Sequence, residues 1–472
     1  MPIRFNAKKA AVSNASTLSA ENSITEGVIW KQLLVFFFPI LLGTFFQQLY
    51  NTADAIIVGK FVGTAALAAV GGATGNLINL LVGFFVGLSS GATVIISQFF
   101  GGRKDQELSH AVHTATALAI SGGLVFTVVG IVFSPAFLSM MGTPPEVMEY
   151  AVVYIRIYFV GMVPSLIYNV GSGILRAIGD SRRPLYFLIC ACMVNILLDI
   201  ICVVGLEMGV AGAALATIIS QMLSAVLVVI TLCRSPKAYR LEIKKIRFHM
   251  ELLQKIIRIG FPAGLQSVMY SLSNVIIQAS VNSFGTSVLA AWTAYGKLDG
   301  LFWMTISAFG ISITTFVGQN VGAGKLSRAH RGVRQALSMS LLITAVLAVM
   351  FMLCARQMMN LFTPDAEVID FGVRFALLIS PFYLASCFNQ IYAGALRGAG
   401  NAKIPMFIML FSFVLFRQGY LYAAKLAGNS FVAIALGYPL GWVVCSLLLM
   451  VFYQKSALNR AGKEAERSEK TA

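Results

Sequence analysis

Charge is scarce in this chain. Of its 472 residues 11% are charged, against roughly 25% in a soluble globular protein, and that scarcity excludes a soluble domain. Histidine is scarcer still, with four residues. None lies in the middle of an apolar segment, no HExxH run occurs, and no serine is flanked by a base, so a membrane-embedded hydrolase has nothing to work with. His110 and His113 stand one helical turn apart, an incomplete metal site. The seven cysteines lack the paired spacing of a disulfide framework or a zinc site, and they read as small apolar residues. VGAGKL at 321–326 puts Leu where a phosphate-binding loop needs Ser or Thr, which excludes an ATP-driven pump. No cleavable leader is expected. Residues 1–29 are polar, carry Arg4, Lys8 and Lys9, and hold no apolar core.

Long apolar runs are what the chain does have. Twelve of about 20 residues recur between Leu33 and Tyr453, each long enough to cross ~30 Å of hydrocarbon. The net charge of +16 follows this plan rather than a nucleic-acid surface. With the N-terminus inside, most Lys and Arg fall in internal tails and loops, while external loops hold only Lys60, Arg356 and Lys425. Excess basic residues mark the cytoplasmic side of multi-span proteins. Both termini are therefore expected in the cytosol, in a cell inner (plasma) membrane. The expected division is a tail at 1–32, a six-helix lobe at 33–233, a basic linker at 234–259, a second six-helix lobe at 260–453 and a tail at 454–472. The linker would rest on anionic headgroups.

The chain also repeats itself. QFFGGRK at 98–104 recurs as QNVGAGK at 319–325, and GILRAIGDSRRP at 173–184 recurs as GALRGAGNAKIP at 394–405. FVGTAALAAV at 61–70 echoes SFGTSVLAAW at 283–292, and Phe38-Pro39 matches Phe261-Pro262. A near-constant offset across several motifs indicates duplication. Six spans per copy is an even number, so both copies enter the membrane from the same side. Parallel repeats of this kind are related by an axis along the membrane normal, with the substrate site at the lobe interface. The expected fold is thus an all-α membrane protein with twelve transmembrane helices in two pseudo-symmetric six-helix bundles forming a V-shaped cleft. Pro39 lies in the span that also carries Asp54 and is a candidate hinge.

Asp54 and Asp199 are the residues that apolar packing does not explain. A buried charge in a bilayer costs about 2.5–3.5 kcal/mol on insertion scales, so an intramembrane carboxylate implies a use. Counting ~1.5 Å per residue from the outer helix ends, Asp54, Asp199 and Thr217 share one depth. Asn195 lies one turn from Asp199 on the same helix face. Two carboxylates, an amide and a hydroxyl make an all-oxygen site for Na⁺, or for a proton shared between two acids that cannot both ionise cheaply. The bland alternative is a hydrogen-bond network that locks helices together, with Arg156 as the nearest neutralising cation. Gln47 and Asn51 extend the polar face of the first span. In the second lobe the repeat places Ile277 and Tyr420 where the acids would be. Its polar and soft residues are Gln266, Asn274, Gln278, Asn389 and Gln390, with Tyr270, Trp303 and Met304, and they are expected to line a substrate cleft. Lys297 and Asp299 are expected to be structural.

LYNTADAIIVGKFVGTAALAAVG at 49–71, with the doubled Q-x-x-G-x-x-K and G-x-L-R-x-x-G-[DN] motifs, closely resembles the multidrug and toxic compound extrusion (MATE) transporters from about residue 30 to 453. The resemblance implies two six-helix bundles and antiport of organic cations or other amphipathic compounds against H⁺ or Na⁺. It also implies that Asp54, Asn195, Asp199 and Thr217 form an N-lobe cation site, which they match in type and spacing. A second branch of the family carries a glutamate on span seven and an aspartate on span ten; Tyr270 stands near the first of these positions and span ten has no interior acid. Expected partners are small-molecule drugs or toxic compounds and membrane lipids, with no nucleic acid, a monomeric state, and no cofactor beyond the coupling ion. Two rival readings are a lipid-linked oligosaccharide flippase of the same superfamily and a non-coupled receptor or channel. The flippase would need several basic residues in its cavity, where Arg156, Lys297, Arg374 and Arg417 are few and scattered.

Overall fold

The computed structural model describes residues 24–282, 284–428 and 431–471, and no strand occurs among them. Span 1 is Ile29–Phe61, span 2 Ala73–Gly101, span 3 Asp105–Met140, and span 4 the pair Pro145–Val160 and Met162–Ala177. Span 5 is Arg182–Asp199, continued by a π-helical turn at Ile200–Gly205, and span 6 is Gly209–Cys233. The second copy follows: span 7 Met250–Asn282, span 8 Thr286–Gly322, span 9 Leu326–Asn360, and span 10 Ala366–Ile379 with Tyr383–Gly398. Span 11 is Lys403–Leu410, a π-helical turn at Phe411–Phe416, then Arg417–Leu426; span 12 is Phe431–Lys455. The chain is an all-α membrane protein of two pseudo-symmetric six-helix bundles. Ten of these helices, or eleven with the bent pair of span 4, are each long and apolar enough to cross a membrane.

Proline acts here by position. Span 4 bends by 51° at the break before Pro164, and span 10 tightens into a turn at Ser380–Phe382, which holds Pro381. Spans 1 and 7 run as unbroken helices through Pro39 and Pro262. Three boundaries differ from the sequence reading. The second apolar run, read as continuous, is interrupted at Gly72, where a side chain would meet the Ala68 carbonyl oxygen at 2.4 Å. The helix of span 7 starts at Met250, inside the stretch read as linker. The C-terminal tail forms a helix, Ala457–Thr471, whose Gly462 lies against His330 of span 9. Arg4, Lys8 and Lys9 lie outside the described residues.

Each lobe has its own apolar core, and the two exchange helix ends. Leu33, Phe36 and Phe37 of span 1 are buried in the second lobe's core, while Leu252, Ile256 and Ile259 of span 7 are buried in the first lobe's. Phe37 stacks on Phe309 of span 8 at 4.1 Å. Spans 2 and 7 come closer still. A side chain at Gly87 would meet the Gly264 backbone at 2.4 Å, and one at Gly91 would meet the Ile256 carbonyl at 2.3 Å. Small residues four apart, Gly87 and Gly91 facing Gly260 and Gly264, allow this backbone approach between membrane helices.

The face carrying the linker and the described ends of the chain is sealed by the duplicated motifs. Gln98, ending span 2, donates to the Gly398 carbonyl across the lobe boundary at 2.8 Å. Gln319, its repeat equivalent in span 8, donates to the Ala177 carbonyl at 2.6 Å. Ala177 and Gly398 end the helices of spans 4 and 10, where last-turn carbonyls lack intrahelical partners. Each glutamine thus caps a helix of the opposite lobe. Gly101 and Gly322 let the two turns interlock, since a side chain on either would strike backbone of Gln319 or Gln98 at 2.0 and 1.9 Å. The strap at 24–27 crosses this seal, with Arg328 donating to the Gly27 and Glu26 carbonyls, both at 2.8 Å.

Candidate cation-coupling site and substrate cleft

Away from the sealed face the lobes part. A cavity of about 870 Å³ lies between spans 1 and 8, with Gln48, Thr52, Lys297 and Met304 in its walls. A second, of about 750 Å³, enters the first lobe and is lined by Gln47, Asn51, Asp54 and Thr217. Lys297 of the second lobe is exposed and lines both.

The four residues expected to bind a cation come together beside this second cavity, which Asp54 and Thr217 line and Asn195 and Asp199 do not. Asp54 and Thr217 are each 3% exposed, and Asn195 and Asp199 are wholly buried. The Thr217 hydroxyl donates to Asp54 Oδ2 at 3.1 Å. It lies near the Ala213 carbonyl, one turn back on span 6, at 3.0 Å. Asp199 and Asn195 approach Asp54 within interaction range. No hydrogen bond of good geometry, however, reaches Asp54 Oδ1, either carboxylate oxygen of Asp199, or either polar atom of the Asn195 amide. Buried polar atoms are nearly always partnered, and leaving an acceptor bare costs about 1–3 kcal/mol. The site thus presents four bare acceptor oxygens beside one bare donor, Asn195 Nδ2. Arg156 does not neutralise the acids: it is exposed on span 4.

Sequence reasoning missed the aromatic wall of this cavity. Tyr50 and Tyr154 are buried and Tyr158 half-buried, and all three line the cavity that holds Asp54. The signal was available, since Tyr154 and Tyr158 are one helical turn apart. A π-helical turn follows Asp199 directly, and such turns are frequent at functional sites.

The second-lobe residues divide. Gln266, Tyr270, Trp303, Asn389 and Gln390 line one cavity of about 230 Å³. Met304 faces the cleft between the lobes. Asn274 accepts from Arg417 Nη2 at 2.7 Å, and Gln278 accepts from Trp292 Nε1 at 2.8 Å, so both are engaged in packing. Asp299 accepts a hydrogen bond from Tyr383, whose hydroxyl also meets that of Tyr295 at 2.7 Å. Ile277 is buried, and the Tyr420 hydroxyl bonds the Ala433 carbonyl at 2.9 Å. Among the described residues no cluster of three His, Cys, Asp or Glu side chains is arranged to hold a metal ion.

The MatE family model matches this chain in two stretches, residues 39–201 and 262–420, one in each copy of the repeat. A probable multidrug resistance protein of Bacillus subtilis, YoeA, is 27% identical over 440 residues, 90% of this chain and 94% of that protein. The multidrug export protein MepA of Staphylococcus aureus is 22% identical over 79% of this chain and 83% of its own length. The solved outward-facing conformation of a multidrug resistance MATE family transporter overlays with a TM-score of 0.86 at 22% identity, covering 93% of this chain and 99% of that one. The duplicated six-helix lobes and their two family matches place this chain in the MatE family of multi-pass membrane transporters.

Proposed function

We propose that this protein is a secondary active multidrug efflux antiporter that exports amphipathic, often cationic, compounds in exchange for H⁺ or Na⁺. The observation that carries the reading is the pair of buried carboxylates, Asp54 and Asp199, with three oxygens bare, beside a cavity that Asp54 lines and that reaches Lys297 of the second lobe. A site that lacks one positive charge binds it from one side of the membrane and, when the lobes rearrange, surrenders it to the other. Tyr50, Tyr154 and Tyr158 suit organic cations, because aromatic faces hold them by ~0.5–2 kcal/mol each. The coupling ion is the only inorganic species required. The basic face is assigned to the cytosol of a plasma membrane from the excess of Lys and Arg there. On that assignment the lobes are sealed inside and parted outside, the state that releases drug and takes up the driving ion. The protein is assigned as a monomer in contact with membrane lipids.

The experiment is dye uptake into inverted vesicles, the inward counterpart of cellular efflux, with a pH or a Na⁺ gradient imposed separately, on wild type and on Asp54→Asn and Asp199→Asn. Asparagine keeps the volume but neither exchanges a proton nor carries the charge that holds a cation. Gradient-driven efflux should fall to background in both variants, with thermal stability in detergent unchanged or raised. Lowered stability with efflux preserved per folded molecule would instead make the carboxylates helix ties. Transport of a lipid-linked sugar alone would replace the reading with that of a flippase.

A further inference from the structure

Arg417 is the charge that the coupling site leaves unexplained. It is wholly buried in span 11. Its Nε donates to Ser273 Oγ at 3.1 Å and its Nη2 to Asn274 Oδ1 at 2.7 Å, both on span 7. Three aromatic rings surround the guanidinium: Tyr438 at 4.7 Å, Phe413 at 5.5 Å and Tyr270 at 5.9 Å. All of these partners are neutral. Nη1, with two N–H groups, has no hydrogen-bond partner, and no described carboxylate lies within ion-pairing distance. An intramembrane arginine ordinarily pairs with an acid or marks a substrate or ion pathway.

Its surroundings point to the second of these. Tyr270 and Phe413, which pack on the guanidinium, are wall residues of the second-lobe cavity, together with Gln266, Trp303, Asn389 and Gln390. A π-helical turn, Phe411–Phe416, ends directly at Arg417, as another begins directly after Asp199 in span 5. Asp199 in the first lobe and Arg417 in the second are thus buried groups of opposite sign, each beside a π-helical turn. About 230 Å³ is too small for a drug-sized molecule, which needs roughly 300–1,000 Å³. It suits one end of such a molecule, with Arg417 directly behind the Tyr270 and Phe413 rings of its wall. The guanidinium fork matches carboxylate and phosphate geometry, and a carboxylate is the smaller of the two for a cavity of about 230 Å³.

We infer that the second lobe holds an anion-binding subsite, in which Arg417 takes the carboxylate of a zwitterionic amphipathic substrate. The inference rests on the efflux reading above and deepens its substrate class.

The probes are rhodamine B, which carries a free carboxylate, and its ethyl ester, which does not. Binding to the purified full-length protein is read by fluorescence anisotropy, and efflux activity as uptake into inverted vesicles. Wild type should bind the zwitterion at least as tightly as the ester. Arg417→Gln should weaken the zwitterion by about tenfold or more, the scale of one truncated charge pair, and the ester by less than about twofold. Arg417→Lys, which keeps the charge but not the fork, should fall between. Wild type that favours the ester would overturn the inference even if no variant folds. So would Arg417→Gln weakening both dyes in proportion, the sign of a helix tie between spans 7 and 11. If Arg417 holds a resident inorganic anion, exchanging chloride for gluconate lowers thermal stability and the dye ratio does not respond to Arg417→Gln, which also overturns it. Efflux of the ester without the zwitterion leaves the antiporter standing and removes the subsite. Efflux of neither dye removes the antiporter, and the binding ratio still decides the subsite.

Discussion

Removing the two glutamines that cap the opposite lobe should loosen the sealed face without unfolding either lobe. A neutral hydrogen bond contributes about 0.5–1.5 kcal/mol net. Gln319 is 1% exposed, which puts its bond to Ala177 at 2.6 Å near the upper end. Gln98 is half-buried, so its bond to Gly398 sits lower. The freed carbonyls end helices at the membrane surface, where water can reach them once the lobes part, so the penalty falls on the sealed state alone. Together the two changes should shift the equilibrium by about 1–3 kcal/mol, or ~5–150-fold. The assay is a distance distribution between spin labels at Arg182→Cys and Lys403→Cys, exposed in the two lobes, in a cysteine-free background. Gln98→Ala/Gln319→Ala should populate a longer distance that wild type lacks, with Gln319→Ala alone exceeding Gln98→Ala. An unchanged distribution in the double variant would show that the interlocking glycines and stacked aromatics close the face unaided.

Three further outcomes follow from the geometry. Gly87→Ala and Gly264→Ala each place a methyl group against backbone of the facing helix, at 2.4 Å and 2.6 Å; overpacking of this kind costs about 1–3 kcal/mol, and the same spin-label pair should report an opened face. Thr217→Ala and Asn195→Ala each remove one oxygen ligand rather than a charge, so half-maximal coupling-ion concentration should rise while maximal efflux survives; loss of all gradient-driven efflux would make them indispensable. His249, at the end of the linker, accepts from Arg247 at 3.3 Å and stacks on His110 at 4.2 Å. Burial first, then the neighbouring charges of His110, Arg247 and His113, pushes its pKa below the ordinary 6.5. The unfolded linker therefore binds more protons than the folded one, and its stability falls as pH drops through that window. Hydrogen-exchange protection of 242–249 should weaken from about pH 8 to about pH 5, and His249→Gln should abolish the change.

The fold was legible because membrane spans announce themselves by length and apolarity, and because the repeat fixes how many there are and how they are paired. The residues proposed for coupling stood out for a related reason. An acid among apolar residues stands out, and helical spacing then brings Asn195 beside Asp199. The seal was not. Gln98 and Gln319 appear in the doubled motif, but their partners are backbone carbonyls 300 and 142 residues away, and carbonyls leave no mark on a sequence. The glycines of GLSSG at 87–91 and GFPAG at 260–264 did leave one, at the spacing that lets membrane helices touch. Asn274 and Gln278 were unreadable in a different way. A polar residue in a membrane helix faces either a cleft or a neighbouring helix, and only the fold shows that these two answer Arg417 and Trp292.

Duplication supplied two copies of everything, and what stayed alike differs in kind from what diverged. The parts that match across the repeat are mechanical: Gln98 with Gln319, Gly101 with Gly322, and the helix ends at Ala177 and Gly398. A seal between two lobes related by a two-fold axis forms from both sides at once, so either copy alone makes half of it. Lys104 with Lys325 and Arg176 with Arg397 recur too, but the intramembrane acids do not. Asp54 and Asp199 face Ile277 and Tyr420 at the equivalent positions, while Arg417 and Asp299 belong to the second lobe only. Each buried charge costs several kcal/mol in a membrane, and a second acidic set would double that cost and bring like charges toward the same cleft. Symmetry in the seal and asymmetry in the buried acids are thus what the proposed antiport requires, in which both lobes move and the first alone holds the ion.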